Sequence, residues 1–243
     1  MEKRTPSHEP LRPPHAAHFR ESPRKVPFRI EVVLERIREA IAPFPKAMLF
    51  KLFEEGRHEI FEQVVACLIS IRTRDEVSLS AARRLLAKAK TPKAVLELPV
   101  KKIDALIAPA TFHLQKAYRI KEIARQTLAR FAGKLPCDET ALASLPGIGP
   151  KCANLTVGIA CGKSRVGVDI HVFRITHRWG FLKAETPVEA VAELEGKLPE
   201  RNWIELNSLL VPFGKHICTG ALPKCSTCPV LEMCRQVGVT RHR

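Results

Sequence analysis

Leu145-Pro146-Gly147-Ile148-Gly149-Pro150-Lys151 is the stretch on which the fold turns. Two glycines bracket one apolar residue, a pattern suited to a tight turn, because a missing Cβ permits positive φ and lets a phosphate approach the backbone. Pro150 fits the first position of a helix, whose free N–H groups form an anion site. One short helical pattern, Asp138 to Ser144, precedes the turn, and another, Cys152 to Ala160, follows it. The segment reads either as two helices joined by an anion-gripping hairpin or as an ordinary corner between packed helices.

Lys151 weighs against the ordinary corner. The first turn of a helix faces the positive end of its dipole, where an acidic residue would be favoured, so something other than helix stability places a lysine there. The same field is expected to lower the amine's pKa, and a partly neutral amine is what Schiff-base chemistry at a sugar carbon needs. The plainer role is contact with phosphate. Eighteen residues on, Val166-Gly167-Val168-Asp169-Ile170-His171-Val172-Phe173-Arg174 enters another helix. Asp169 is an N-cap, the commonest reason for an aspartate at a helix start, or a partner of Lys151 that stabilises a cationic sugar or accepts a proton.

Charge narrows the partner. The 243 residues carry 40 Lys plus Arg against 25 Asp plus Glu, a formal +15, well beyond what solubility requires. No apolar run approaches the roughly 20 residues of a membrane span, so nucleic acid is favoured over a membrane. Residues 1–27 are rich in proline and basic groups, and read as a flexible basic tail. Beyond it, Ile30, Val33, Leu34, Ile37 and Ile41 follow helical spacing, and a nearly continuous apolar run from Glu59 through Ile69 marks a buried central helix. Thr91-Pro92, Asp138 and Thr186-Pro187 are helix starts. Leu114 to Phe131 is amphipathic. Sustained period-two alternation is missing, so the predicted fold is all-α.

Eight cysteines divide unevenly. Cys67, Cys137, Cys152 and Cys161 are scattered and read as core or incidental residues. Cys218, Cys225, Cys228 and Cys234 have the spacing C-x6-C-x2-C-x5-C, enough loop to wrap four thiolates around one centre. Such a tetrad holds zinc or an iron–sulfur cluster, and spacing alone does not separate them. The clustering points to a metal site in a reducing, intracellular compartment rather than a disulfide framework.

Taken together, Leu145 to Lys151, Val168 to Arg174 and the four terminal cysteines resemble endonuclease III, in the helix-hairpin-helix DNA glycosylase superfamily. The resemblance covers roughly residues 30 to 236. It implies two helical lobes with a DNA-binding cleft between them: a six-helix barrel over residues 53–163, and a cluster lobe from residues 28–52 and 164–243. It also implies a monomer that acts on double-stranded DNA containing damaged bases, oxidised pyrimidines among them, or abasic sites. Lys151 would attack C1′ with Asp169 assisting, and a [4Fe-4S] cluster would sit on Cys218, Cys225, Cys228 and Cys234. Gly147, Ile148, Gly149 and His171 are the other candidate DNA contacts.

The chain departs from the family in one loop. Ser70-Ile71-Arg72-Thr73-Arg74-Asp75 puts Arg72 where the family carries a glutamine that enters the gap left by an extruded base. Phe112 aligns with the opposing apolar wedge, often leucine. Two readings remain, a bifunctional glycosylase and lyase or a DNA-binding cluster protein without catalysis. Retention of both Lys151 and Asp169 favours the enzyme.

Overall fold

A computed structural model describes residues 25–243, among which every regular element is helical. The basic tail expected over residues 1–27 lies outside the described residues as far as residue 24. Its last residues are pinned to the carboxyl-terminal region: Lys25 Nζ donates to Leu231 O (2.9 Å) and Gln236 Oε1 (3.0 Å), and the Val26 N–H to Glu232 O (2.9 Å). Lys25 and Val26 are therefore tied to the carboxyl-terminal region, where a flexible tail was expected.

The helices divide between two apolar cores. The first is built from α2 (Met48–Glu54), α3 (Ile60–Ser70), α4 (Asp75–Lys88), α5 (Pro92–Glu97), α6 (Val100–Ile107), α7 (His113–Phe131), α8 (Glu139–Ala143) and α9 (Pro150–Cys161). Of these α5 and α8 are little more than single turns. Of the remaining helices, α2, α4, α7 and α9 pack against α3, which is buried from Ile60 through Ile69, and α6 packs on α4 and α7. The second core gathers α1 (Ile30–Ile41), α10 (Ile170–Arg178), α11 (Pro187–Lys197), α12 (Trp203–His216) and the cysteine loop. Met48, Leu49 and Leu52 of α2 belong to the first core, so the boundary expected at residue 53 moves to the segment before Met48.

Local chemistry explains the helix starts. Thr91, Asp138 and Thr186 each accept a backbone N–H three residues on, from Ala94, Ala141 and Glu189, and so satisfy donors that a helix leaves unpaired. The lobes meet where α12 crosses α9. A Cβ on Gly158 would collide with Ile204, so the absent side chain sets how closely the two helices approach. Lys215 on α12 adds an ion pair to Glu76 on α4 (2.8 Å).

The scattered cysteines require a correction. Cys137 and Cys161 form a disulfide that joins the segment before α8 to the end of α9 and so spans the whole hairpin. Spacing did not reveal it because the hairpin, which returns α9 alongside α8, is what brings positions 24 residues apart together.

Candidate active site

The hairpin fixes the first catalytic candidate. Gly147 turns at φ +82°, and a Cβ there would press on Arg119 and Leu68. Gly149 is the N-cap of α9, with Pro150 at the first helical position and Lys151 directly after it. Only Gly147 needs the left-handed region; Gly149 is extended and opens onto free space. Ile148 is buried and its N–H donates to Leu145 O (3.1 Å), so neither its side chain nor its amide faces solvent.

Lys151 lines a cavity of about 610 Å³ between the two lobes. Arg72, Asp75 and Cys152 share the barrel wall with it, and Asp169, His171 and Asn207 form the wall opposite. The expectation of a lowered Lys151 pKa is overturned. Burial does pull the ammonium down, but negative charge at Cys67, Asp169 and Asp75 outweighs it, and the net direction is up. Anionic groups facing the start of α9 outweigh the helix dipole there. One of them is a core cysteine: buried Cys67 on α3 lies against Cys152 on α9. The hydrogen bond from Cys152 lowers the Cys67 thiol, against burial, with Lys151 adding to the effect.

Asp169 is placed by its backbone. Two asparagines hold the segment before it, Asn154 donating to Val166 O (3.1 Å) and Asn207 to Gly167 O (3.1 Å). One comes from each lobe, so both lobes help to set Asp169 opposite α9. Sequence reading missed both, since an isolated asparagine carries no pattern. His171 follows on α10, its pKa lowered by burial and by Arg174, against the pull of Asp169. It packs where a Cβ on Gly214 would clash.

Arg72 and Phe112 sit on neighbouring loops. Both adopt left-handed backbone, φ +53° and +56°, without being glycine. Arg72 lines the cavity; Phe112, 52% exposed, lies outside it.

Cys218, Cys225, Cys228 and Cys234 line one apolar cavity with Trp179, Phe213 and Leu231. As placed, they do not converge into a ready coordination shell, and no such shell occurs among the described residues. The chemistry of the donor set nonetheless fits a thiolate-bound centre. Burial pushes the Cys228 thiol up to about 12 and raises Cys225 and Cys234, with the sulfurs adding mutual repulsion. A cationic centre relieves both penalties. The Gln236 N–H already donates to Cys234 Sγ (3.3 Å), and Arg178 Nη1 lies 3.4 Å from Cys218 Sγ.

Comparison with known proteins settles the family. Residues 65–200 match the HhH-GPD superfamily of base excision DNA repair proteins. The chain belongs to this superfamily. It is 32% identical to endonuclease III of Thermotoga maritima over 217 residues, 87% of this chain and 99% of that protein. Against mouse endonuclease III-like protein 1 it is 34% identical over 177 residues, 72% of this chain and 59% of the mouse protein. A solved structure of a trapped endonuclease III–DNA covalent intermediate superposes with a TM-score of 0.70 at 26% identity, covering 84% of this chain and 96% of that one. A thermostable thymine-DNA glycosylase shares the fold, with a TM-score of 0.72 at 20% identity. The superfamily member described here is a DNA glycosylase and abasic-site lyase of the endonuclease III type. Among the described residues no helix is long and apolar enough to cross a membrane.

Proposed function

We propose that this enzyme binds double-stranded DNA in the cleft between its lobes and excises a damaged base, an oxidised pyrimidine by its likeness to endonuclease III, through Lys151. The observation that carries the reading is the placement of Lys151 and Asp169 on facing walls of one cleft. The +15 charge suits a polyanionic partner, and one chain supplies both walls, so a monomer suffices.

The amine must lose a proton before it attacks, because its neighbours favour the ammonium. Asp169 is the carboxylate placed to take it. Lys151 Nζ then bonds to C1′, the glycosidic C–N bond breaks, and the base departs with a proton. Asp169 returns that proton to the departing base, and the carboxylate so restored stabilises the cationic sugar as the bond lengthens. Nζ passes a proton to O4′ as the C1′–O4′ bond opens to give the Schiff base, loss of a C2′ proton from it then expels the 3′ oxygen and cuts the strand, and water releases the lysine. Arg72 and Phe112 would enter the stack that the extruded nucleotide leaves. Gly147 and Gly149 would let a phosphate approach the start of α9.

Cys218, Cys225, Cys228 and Cys234 would hold a [4Fe-4S] cluster. When bound, it would supply four iron–thiolate links that tie the terminal loop to α12.

Borohydride tests the central step. Incubation with damaged duplex should trap a covalent protein–DNA adduct, and Lys151→Gln should abolish it. An undiminished adduct in that variant moves the nucleophile elsewhere. No adduct from the wild-type protein on any lesion or abasic site favours a DNA-binding protein without catalysis.

A further inference from the structure

We propose that Lys116 and Thr73 form a latch that joins the Arg72 loop and the Phe112 loop into one unit for insertion into the duplex. Lys116 belongs to α7 but is only 3% exposed. Its ammonium reaches back to the end of α3, donating to Ile69 O (2.7 Å), Ile71 O (2.7 Å) and Thr73 Oγ1 (3.0 Å). All three acceptors flank or follow the turn that presents Arg72. Among the described residues no carboxylate pairs with Lys116. A buried cation without a counter-charge is an expensive way to stabilise a fold, and an apolar side chain would serve a purely structural purpose better.

Capping the α3 carboxyl terminus would explain two of the three bonds. The third is different in kind. Thr73 Oγ1 accepts a hydrogen bond from the Lys116 ammonium and another from the Thr111 N–H at 3.1 Å. Thr111 immediately precedes Phe112, so a single hydroxyl connects the two loops. Each loop tip carries a non-glycine residue in left-handed backbone, a conformation that persists only where the surroundings enforce it. The latch supplies that enforcement on the cleft side. Arg84, donating to Leu106 O (2.7 Å) and to Ala108 O, tethers the Phe112 loop from behind. Lys116 is buried behind the loops, and the Thr73 hydroxyl is committed to Lys116 and Thr111 although the residue borders the cleft; both are positioning residues for Arg72 and Phe112.

The inference rests on the reading of Arg72 and Phe112 as stack-entering residues, and the experiment separates the two. Thr73→Val keeps the shape and removes the shared acceptor, Thr73→Ser keeps the hydroxyl, and Lys116→Met removes the donor. Each is assayed by borohydride trapping on an abasic site in duplex DNA and on the same site in a single strand, where nothing has to be extruded. A fluorescent base analogue beside the duplex site reports unstacking. Thr73→Val and Lys116→Met should slow duplex trapping by about tenfold, the scale of a lost charge-assisted bond, and lose the unstacking signal, while single-strand trapping stays near wild type. Thr73→Ser should restore both duplex readouts. Equal losses on duplex and single strand, or no loss on either, overturn the latch. If Arg72→Ala and Phe112→Ala leave the unstacking signal intact in an enzyme that traps normally, the underlying reading of the loops fails instead, and the latch with it.

Discussion

Asp169 caps α10 through a single oxygen, Oδ1, which accepts the Val172 N–H at 2.8 Å. The same oxygen accepts the His171 N–H at 2.9 Å, and among the described residues Oδ2 has no hydrogen-bond partner. Capping therefore occupies one oxygen and leaves the other free for the catalytic role proposed above. Asn caps about as well as Asp, so Asp169→Asn should shift stability by no more than about 1 kcal/mol while kcat falls by about 100-fold or more. The direction of the rate change is informative. The Asp169 charge raises the Lys151 pKa, so if it did nothing else, its removal would free the amine and speed trapping. A loss of kcat with an unchanged Tm assigns Asp169 to proton transfer or to the cationic sugar; unfolding, or full activity, leaves it only a cap.

Much of this site is readable before any coordinates, for a physical reason: the hairpin and both caps are local. Gly147, Pro150 and Asp169 announce backbone states that depend on a few neighbouring residues. What escaped was tertiary. Asn154 and Asn207 act on Val166 and Gly167 from different lobes. The partner of Cys137 is found only once the hairpin has folded. The Lys151 environment was misjudged because Cys67 and Asp75, remote in sequence, face it across α3 and α4. Helix α12 carries Pro212 inside it, buried, a residue whose local effect is to break a helix. The superfamily resemblance carried the two-lobe architecture; periodicity alone reached only an all-helical fold.

Cys67 makes stability depend on pH. Its folded pKa is depressed below an unfolded 9.0 by the Cys152 hydrogen bond first and the Lys151 charge after it. A depressed acid stabilises the fold fully above its unfolded pKa and loses that contribution as pH falls through the folded value. The wild-type protein should therefore gain Tm relative to Cys67→Ala as pH rises toward 9.0. The cavity left by Cys67→Ala lowers Tm at every pH, so the decisive quantity is how the gap between the proteins changes. A gap that stays constant from pH 6 to 9 refutes the ionised thiol.

The four terminal cysteines predict a metal content. Purified protein should carry about four irons and four sulfides per chain and be yellow-brown. Cys228→Ala should lose the iron and much of the solubility, since its thiol is the most strongly raised of the tetrad and gains most from a metal. Cys161→Ser, which breaks only the hairpin disulfide, should keep its iron. Stoichiometric zinc in protein produced with iron available would refute the cluster.

Arg72 should set the preference for the base opposite the lesion. Its backbone is left-handed, it is exposed at the edge of the cleft, and among the described residues its guanidinium has no partner, so it is free to meet DNA. A glutamine at this place can donate and accept hydrogen bonds, whereas a guanidinium only donates. An orphan base rich in acceptors is then the better match. Guanine, with O6 and N7, is favoured over adenine, although its own N–H donors must find water or other acceptors. The competing role is positional, with Arg72 stacking on a base or neutralising a phosphate. Excision of one lesion opposite each of the four bases, in wild type and in Arg72→Gln, distinguishes them. Reading of the orphan base predicts a guanine-first ranking that Arg72→Gln reorders toward adenine, with rates for the best partner changed little. A ranking that is the same in both proteins, with all four rates lowered together, assigns Arg72 to phosphate or stacking instead.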